Sequence, residues 1–301
     1  MSQASSISVR RPYSLARVCR VWRVARSSLY EARRRARAAA SGQPPARSRR
    51  GPQGACSDEE LLRHIRRVLR RSPWVGEGHR KVWARLRFEG IRTARRRVLR
   101  VMREHDLLAP TRLGRAHGPK AHDGTIVPAR PDEMWGTDMT GTLTGEGGVS
   151  IFFVIDHCTA ECLGIHAARR GTRFEALEPL RLAVRARYGE FAKDIGVGIA
   201  MRHDHGSQFI SHAYQQELRF LGIQSSPAFV REPEGNGCAE RFVRTLKEQL
   251  LWLRRYDTVE ELQRALQAFA ERYNREWLIQ RHGWQRPSAR YAELTAAEVA
   301  A

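Results

Sequence analysis

The fold is decided by residues 135–168, which read WGTDMTGTLTGEGGVSIFFVIDHCTAECLGIHAA. Apolar, β-branched and aromatic residues are concentrated in three short runs of this stretch, at 135–143, 149–157 and 163–168. Runs of this length and composition predict strands, and the glycine-rich segment 145–148 predicts a turn between the first two. The sequence therefore predicts three consecutive strands.

After the third strand the pattern changes to an alternation of helix and strand. The further predicted elements are a helix at 174–188, a strand at 198–204, a helix at 211–221, a strand at 223–229 and a long helix at about 238–253. Thr258 with Glu261 three residues later predicts a capping box that begins a last long helix. Three strands followed by alternating helix and strand predict a mixed α/β sheet with helices on its faces.

A basic helical hairpin is predicted at the start of the chain, over residues 14–39. Ser14 and Ser27 are each placed to cap a helix, which predicts a helix-turn-helix. Short polar side chains at a helix start, followed by a run of Arg, suit a recognition helix, so Arg26, Ser27 and Ser28 are candidate DNA contacts. A hairpin that only packs on a partner protein is the alternative.

A second helical unit follows a linker rich in Pro, Gly, Ser and Arg. A start signal at Ser57, a turn at Gly90 and a cap at Thr93 predict three helices that again have the shape of a helix-turn-helix. The third helix is surrounded by arginines. Its candidate DNA contacts are Arg92, Arg95 and Arg96.

Charge is distributed very unevenly along the chain. The 301 residues hold 53 Lys and Arg against 32 Asp and Glu, a net charge of +21. Residues 1–131 hold 32 basic and 9 acidic side chains, whereas the remaining 170 residues hold 21 and 23. A positive field confined to one part of the chain attracts polyanions, which indicates a nucleic-acid partner. An Arg-rich composition of the whole proteome would not leave the second part neutral.

Composition also excludes several classes of protein. A hydrophobic fraction of 42% is sufficient for a globular core. No apolar run approaches the roughly 20 residues that span a bilayer, and no secretory signal is visible. The five cysteines are odd in number and scattered, so they indicate a reducing, cytoplasmic compartment rather than a disulfide framework.

Three acidic residues stand out by their context. Asp138 lies inside the first predicted strand, Asp204 ends the fourth, and Glu240 falls in the first turn of the long helix. An acid in an apolar strand is costly to bury unless it is paired or bound to a cation. Clustered carboxylates select Mg²⁺ or Mn²⁺, and two such ions can clamp an in-line phosphoryl displacement. Asp156 also closes an apolar strand, and we assign it a structural role.

The spacing of these acids resembles that of a known superfamily. There are 65 residues between Asp138 and Asp204 and 35 between Asp204 and Glu240. This pattern resembles the retroviral-integrase superfamily of DDE (Asp-Asp-Glu) enzymes, and more closely the OrfB-type transposases of bacterial insertion sequences. The matching motifs are WGTD at 135–138, HDHGSQF at 203–209 and NGCAE at 236–240, with the upstream segment from Gly78 to Pro110.

The resemblance extends to Lys247 and departs at two histidines. Lys247 matches a basic residue of the family, and helical spacing places it on one face with Glu240 and Arg244, where Arg244 and Lys247 are candidate phosphate contacts. His203 and His205 stand where the family usually has Ser and Arg. These departures do not touch the three acids.

The resemblance implies a fold, a chemistry and partners. The implied fold is an RNase H-like mixed five-stranded catalytic core, in which Asp138, Asp204 and Glu240 hold two Mg²⁺ (or Mn²⁺) ions. The implied reaction is cleavage at the ends of the element, followed by transfer of the 3′-hydroxyl strand into DNA. The implied partners are terminal inverted repeats, target DNA, further copies of the chain on paired ends and an upstream-frame protein, with no membrane. The implied location is the bacterial cytoplasm, at the nucleoid.

The predicted domain division follows from these patterns. It comprises an N-terminal helix-turn-helix at 1–39, a linker at 40–56, a second helix-turn-helix-like domain at 57–112, a connector at 113–131, the catalytic core at 132–254 and C-terminal helices at 255–301.

Three other interpretations compete with a transposase. A structural zinc site would use His157, Cys158, Cys162 and His166, but strand alternation sends some of them to opposite faces and no CxxC pair is present. A non-catalytic DNA-binding protein needs only the basic N-terminal part, although it would have no reason to retain the acid trio. A nuclease of the same fold would cleave without joining.

The C-terminal aromatic residues have a simpler interpretation. They recur at helical spacing, which favours a place in the helical core over base-stacking platforms. They are Trp252, Phe269, Tyr273, Trp277 and Trp284.

Overall fold

The structure is a computed structural model that describes residues 13–40, 56–110, 126, 128–228 and 236–299. Most of the predicted linker, the predicted connector and the loop before the long helix lie outside the described residues. The chain forms two compact units, Met1–Gly54 and Ala55–Ala301. Each unit is described by itself.

The described part of the first unit contains two helices. These are α1 (Leu15–Val21) and α2 (Arg26–Ala40). Ser14 caps α1, since its hydroxyl oxygen accepts from Arg17 N at 3.4 Å. The prediction that Ser27 caps α2 is wrong, because the carbonyl of Ala25 already accepts the first helical hydrogen bonds and Ser27 lies inside the first turn.

The second unit begins with three helices around a small core of their own. They are α3 (Asp58–Arg71), α4 (His79–Phe88) and α5 (Arg95–Glu104). Ser57 and Glu60 form a reciprocal capping box at the start of α3. Gly90 takes a φ of +79° in the turn after α4, a conformation that favours glycine. The predicted cap at Thr93 is wrong: Ala94 precedes α5, and the Thr93 carbonyl accepts from Trp83 Nε1 instead.

A five-stranded sheet forms the centre of this unit. Its strands are β1 (Met134–Thr144), β2 (Gly147–Asp156), β3 (Cys162–Ala168), β4 (Ala200–His203) and β5 (Gln224–Pro227), in the order β3-β2-β1-β4-β5. The first three strands pair in antiparallel fashion, and β4 and β5 continue the sheet parallel to β1. The predicted α/β, RNase H-like mixed sheet is confirmed.

Helices cover both faces of the sheet. They are α6 (Leu177–Tyr188), the short α7 (Ser207–Ile210), α8 (His212–Phe220), α9 (Gly237–Leu246) and α10 (Val259–Glu276). A last helix, α11 (Pro287–Val299), packs against α10. Phe153 of β2 belongs to the core under α9 and α10, whereas its neighbour Phe152 belongs to the core under α6 and α8. Burial on both faces is the reason that β2 shows a continuous apolar run rather than an alternation.

The predicted long helix at 238–253 changes its winding before it ends. It is α-helical to Leu246 and continues as a π turn, Lys247–Leu251. A π turn fits more than the usual 3.6 residues into one turn, so residues beyond it move to another side. Trp252, expected in the core, lies directly after this π turn and is 70% exposed, whereas Phe269 and Tyr273 are buried as expected.

Helix α6 packs against β3 at Gly164. A Cβ atom at Gly164 would lie far inside van der Waals contact with the Pro179 carbonyl oxygen and 3.1 Å from Leu182 Cβ. We therefore expect Gly164→Ala to lower the free energy of unfolding by about 1–3 kcal/mol in urea denaturation. Gly148→Ala is the matched control, because no atom lies within 4 Å of its added Cβ. Equal unfolding midpoints for the two variants would contradict the close packing.

No helix within the described residues is long and apolar enough to cross a membrane.

Candidate active site

The sheet register brings Asp138 level with Asp204. Strands β1 and β4 pair in parallel through Trp135 with Met201 and Gly136 with Arg202. Two residues further along both strands stand Asp138, still within β1, and Asp204, which directly follows β4. Since neighbouring strands lie about 4.8 Å apart, this register places the two carboxylates side by side at the end of the β1–β4 ladder.

Helix α9 brings the third acid to the same edge. Glu240 is exposed in its first turn. The residue that precedes the helix, Asn236, donates from Nδ2 to the carbonyl oxygen of Thr137 at 3.1 Å. The start of the Glu240 helix is therefore attached to the residue immediately before Asp138.

The electrostatics of Asp138 show that the acids act on one another. The pKa of Asp138 is raised from 3.8 to about 6, first by burial and then by the negative charges of Asp204 and Glu240. The Met139 N–H, which donates to Asp138 Oδ1 at 2.7 Å, and the positive charge of Lys247 lower it. The structure thus places Asp138, Asp204, Glu240 and Lys247 in one electrostatic neighbourhood.

Asp204 is held by its own loop. Its Oδ1 atom accepts from the Gly206 N–H at 2.9 Å. The buried His203 before it lies with Nδ1 2.7 Å from the Asp204 carbonyl oxygen and Nε2 2.9 Å from Ser225 Oγ. A carbonyl oxygen can only accept, so Nδ1 carries the proton and the Ser225 hydroxyl donates to Nε2. His203 is a structural link between β4 and β5, and burial lowers its pKa.

The donor set fits a hard divalent cation. Carboxylate oxygens are the ligands that Mg²⁺ and Mn²⁺ prefer, and a cation would relieve the repulsion that raises the pKa of Asp138. Within the described residues, no three His, Cys, Asp or Glu side chains lie close enough together to enclose a metal ion. The three acids therefore share an electrostatic neighbourhood in an open arrangement.

The candidate DNA contacts fall into three separate places. Arg244 is exposed on α9 and Lys247 is partly buried at the start of the π turn, both near Glu240 along the helix. The other candidates are exposed residues at or near helix starts. Arg92, Arg95 and Arg96 lie before and in the first turn of α5, and Arg26, Ser27 and Ser28 lie in the first turn of α2.

Two of the four competing zinc residues have partners of their own. His166 Nε2 lies 2.7 Å from Glu175 Oε2, and the Cys162 thiol points at the Gly164 carbonyl. Asp156 accepts from the backbone N–H and hydroxyl of Thr159, at 2.6 and 2.8 Å. Asp156 thus closes the turn after β2, in keeping with the structural role assigned to it.

Sequence reasoning missed the packing around Gly136. The buried His157 ring and the Asn236 amide oxygen both lie over the same side of Gly136, within contact distance of an added Cβ. A glycine inside a strand is a signal for a close approach of other groups, and that signal was present in the motif WGTD.

Three family models match consecutive parts of the chain. Residues 57–115 match an HTH-like domain, and residues 128–233 and 221–287 each match an integrase core domain.

Curated relatives and solved structures are similar to the chain. The transposase for insertion sequence element IS629 of Shigella sonnei is 27% identical, with 97% of this chain and 98% of that protein covered. Transposase InsD for insertion element IS2A/D/F/H/I/K of Escherichia coli is 29% identical, with 64% and 65% covered. The catalytic core domain of BIV integrase is 18% identical at a TM-score of 0.41, with 56% and 99% covered.

Proposed function

Because this chain belongs to the integrase-core family of DDE transposases, we propose that it is the transposase of a bacterial insertion sequence, with Asp138, Asp204 and Glu240 as its catalytic carboxylates. The observation that best supports the assignment is the raised pKa of Asp138, to which the charges of Asp204 and Glu240 contribute after burial. A half-buried carboxylate with two like charges beside it is unfavourable unless a cation joins them. The family implies the use of a divalent metal, and these residues are the ones that would hold it.

The three carboxylates have distinct tasks at the proposed site. When bound, two Mg²⁺ or Mn²⁺ ions would supply Lewis-acid stabilisation of the attacking and leaving oxygens of an in-line displacement. Asp138 is held in place by the strand and by the Met139 N–H. Asp204 accepts from the Gly206 N–H through Oδ1, and we propose that its Oδ2 binds a metal ion. Glu240 contributes from the helix side, so the reacting phosphate lies between sheet edge and helix.

The proposed reaction has two steps, and in each of them an oxygen attacks a phosphodiester at the same site. Hydrolysis at the end of the element frees a 3′-hydroxyl, and that hydroxyl then attacks a phosphodiester of the second DNA, with the leaving 3′-oxygen taking up a proton. Arg244 and Lys247 follow Glu240 along the helix at spacings of four and seven residues. We propose that they hold phosphates on either side of the reacting one.

We further propose how the rest of the chain serves this reaction. The helical domain at 57–112 and the N-terminal hairpin at 1–39 bind the terminal inverted repeats, and the core at 132–254 carries out the chemistry. Two ends are joined by a multimer of the chain at the bacterial nucleoid, and association with an upstream-frame protein stays a prediction.

The test is a Mg²⁺-dependent cleavage and joining assay on the DNA ends of the element. We expect Glu240→Gln to lower the rate of both steps by at least roughly 10³-fold, because metal stabilisation is worth several kcal/mol and each 1.36 kcal/mol is tenfold. Glu260→Gln is the matched control, since Glu260 is also an exposed glutamate in the first turn of a helix. We expect that variant to react at the wild-type rate.

The products of this assay separate the competing functions. Cleaved ends without joined product would identify a nuclease and contradict strand transfer. Tight DNA binding without cleavage by the wild-type protein would indicate a binding protein. Equal rates for Glu240→Gln and wild type would remove Glu240 from the site.

The proposed DNA contacts of α5 are tested by the salt dependence of binding. We expect the double variant Arg95→Ala, Arg96→Ala to bind end DNA more weakly and to lower the slope of log affinity against log salt by about 2, one for each lost phosphate contact. Arg185→Ala with Arg219→Ala removes the same charge from exposed positions on α6 and α8. A smaller slope in both double variants would indicate a general charge effect and contradict specific contacts at α5.

A further inference from the structure

Two buried polar atoms near the proposed site lack a hydrogen bond of normal geometry. They are Asn236 Oδ1 and His157 Nε2. A Cβ added to Gly136 would lie 3.0 Å from Asn236 Oδ1 and far inside contact distance of His157 Nε2, so both atoms stand over the same glycine. Buried polar atoms without a partner are costly, so their presence here calls for a reason.

Asn236 joins the two elements that carry Asp138 and Glu240. Its side chain is 7% exposed, and its Nδ2 donates to the Thr137 carbonyl oxygen. The last β1–β4 pair is Gly136 with Arg202, so this carbonyl lies just past the end of that ladder. Asn236 thus donates a hydrogen bond to β1 just before Asp138, beyond the last residue that pairs with β4.

His157 contacts Asn236 over Gly136. The ring is buried, its backbone N–H donates to the Met134 carbonyl, and its Nδ1 lies 3.2 Å from the Ile126 carbonyl. Burial lowers the pKa of His157, while its contacts with Ile126 and Asn236 raise it. A neutral imidazole has one N–H, so it can donate either to the Ile126 carbonyl oxygen or to Asn236 Oδ1, but not to both. In either arrangement the ring and the Asn236 amide stay together over Gly136.

Gly136 makes this packing possible. Any side chain there would displace the His157 ring or the Asn236 amide, since both lie within contact distance of the added Cβ. A displaced Asn236 would release the Thr137 carbonyl and with it the start of α9. The geometry of the two carboxylates thus depends on three residues that do not touch the reacting atoms.

We infer that Asn236 is a positioning residue, braced by His157 over Gly136, which sets the separation between Asp138 and Glu240 and so the affinity of the site for its divalent cation. The inference rests on the proposed function. It assigns Asn236 no contact with metal or DNA. Groups that orient the ligands of a metal typically contribute 10–100-fold to metal affinity.

The experiment is a calorimetric titration of the full chain with Mn²⁺ in the absence of DNA, repeated as the Mn²⁺ dependence of cleavage. We expect Asn236→Ala and Asn236→Asp to weaken Mn²⁺ binding by about 10–100-fold and leave the affinity for end DNA unchanged. Asn236→Asp keeps the shape but removes the donor to Thr137. At saturating Mn²⁺ the variants should recover most of their cleavage rate.

Asn274→Ala is the matched control. Asn274 also bridges a helix and a strand through its amide, with Oδ1 accepting from Cys162 N at 2.9 Å and Nδ2 donating to Cys162 O at 2.8 Å. We expect it to lower stability without changing Mn²⁺ affinity. Gly136→Ala adds a Cβ that displaces His157 or Asn236, so it should weaken Mn²⁺ binding as Asn236→Ala does.

The outcomes separate this inference from the proposed function. Wild-type protein that binds no Mn²⁺, or Glu240→Gln with unchanged affinity, would overturn the proposed function and the inference together. Wild-type binding that depends on Glu240, with both Asn236 variants within twofold of wild type, would overturn the inference alone. An equal loss of affinity in Asn274→Ala would also overturn it, because the effect would then be one of general stability.

Discussion

Asp138→Asn is expected to stabilise the folded protein at pH 8 without metal by up to about 3 kcal/mol, while lowering DNA cleavage by at least roughly 10³-fold. The stabilisation follows from the pKa of Asp138, which burial and the charges of Asp204 and Glu240 raise from 3.8 to about 6. Each pKa unit corresponds to 1.36 kcal/mol, so the figure is an upper value for the strain of the ionised carboxylate. An amide of the same shape does not ionise.

The sign of this effect depends on pH. A raised pKa in the folded state means that the folded protein binds a proton more tightly than the unfolded chain. Stability from this group is therefore present below pH 3.8 and is lost as pH rises towards and through about 6. Asp138→Asn should equal wild type near pH 4 and exceed it above pH 6.

Urea denaturation in EDTA at pH 4 and pH 8 measures the difference. Asp106→Asn, at an exposed position, is the control and should follow wild type at both pH values. Added Mg²⁺ should stabilise wild type and leave Asp138→Asn unchanged, since ligand binding stabilises only the state that binds. Equal unfolding midpoints of wild type and Asp138→Asn at pH 8 would contradict electrostatic strain at this site.

The sheet was predictable because its signals are local. Strand β2 is buried on both faces, so its run from Val149 to Ile155 is apolar whatever else the chain does. The acid trio was identified from spacing, and the parallel β1–β4 register accounts for the placement of Asp138 level with Asp204. The strand was recognised from neighbouring residues, and the acids from the number of residues between them.

The features that sequence reasoning missed depend on tertiary contacts. The helical period of residues 238–253 gives no sign that Lys247 begins a π turn and that Trp252 turns outward. Ser27 and Thr93 have the chemistry of caps, but the preceding or following alanine has the cap position. Cap chemistry only shows that a residue is suitable, and the path of the backbone into the helix decides which residue is used.

The contact of His157 and Asn236 over Gly136 also depends on tertiary structure. His157 and Asn236 are 79 positions apart in the sequence and meet only over Gly136 of β1. Sequence spacing has no means of pairing them. The glycine alone carried a signal, and it did not identify which groups approach it.

The second large effect is expected at Arg187, near the C-terminal end of α6. Its side chain is 8% exposed, with Nε 2.9 Å from Asp132 Oδ1 and Nη2 2.8 Å from Glu161 Oε2. Asp132 also accepts from Trp135 Nε1 at 2.8 Å, so the guanidinium is connected to the start of β1, three residues before Asp138. The Tyr291 ring lies 3.8 Å below the guanidinium carbon, which adds a cation–π contact from α11.

Arg187→Met should therefore lower the free energy of unfolding by about 3–5 kcal/mol, because it leaves two carboxylates without their cation in a mostly buried place. Arg187→Lys keeps the charge but cannot span both carboxylates as the planar guanidinium does, so an intermediate loss is expected. Adding Asp132→Asn and Glu161→Gln to Arg187→Met removes the unpaired charges and should restore much of the stability. Urea denaturation of the series at pH 7.5 measures each step. If the triple variant is as unstable as Arg187→Met, the loss comes from the methylene packing of Arg187 and the ion-pair explanation is wrong.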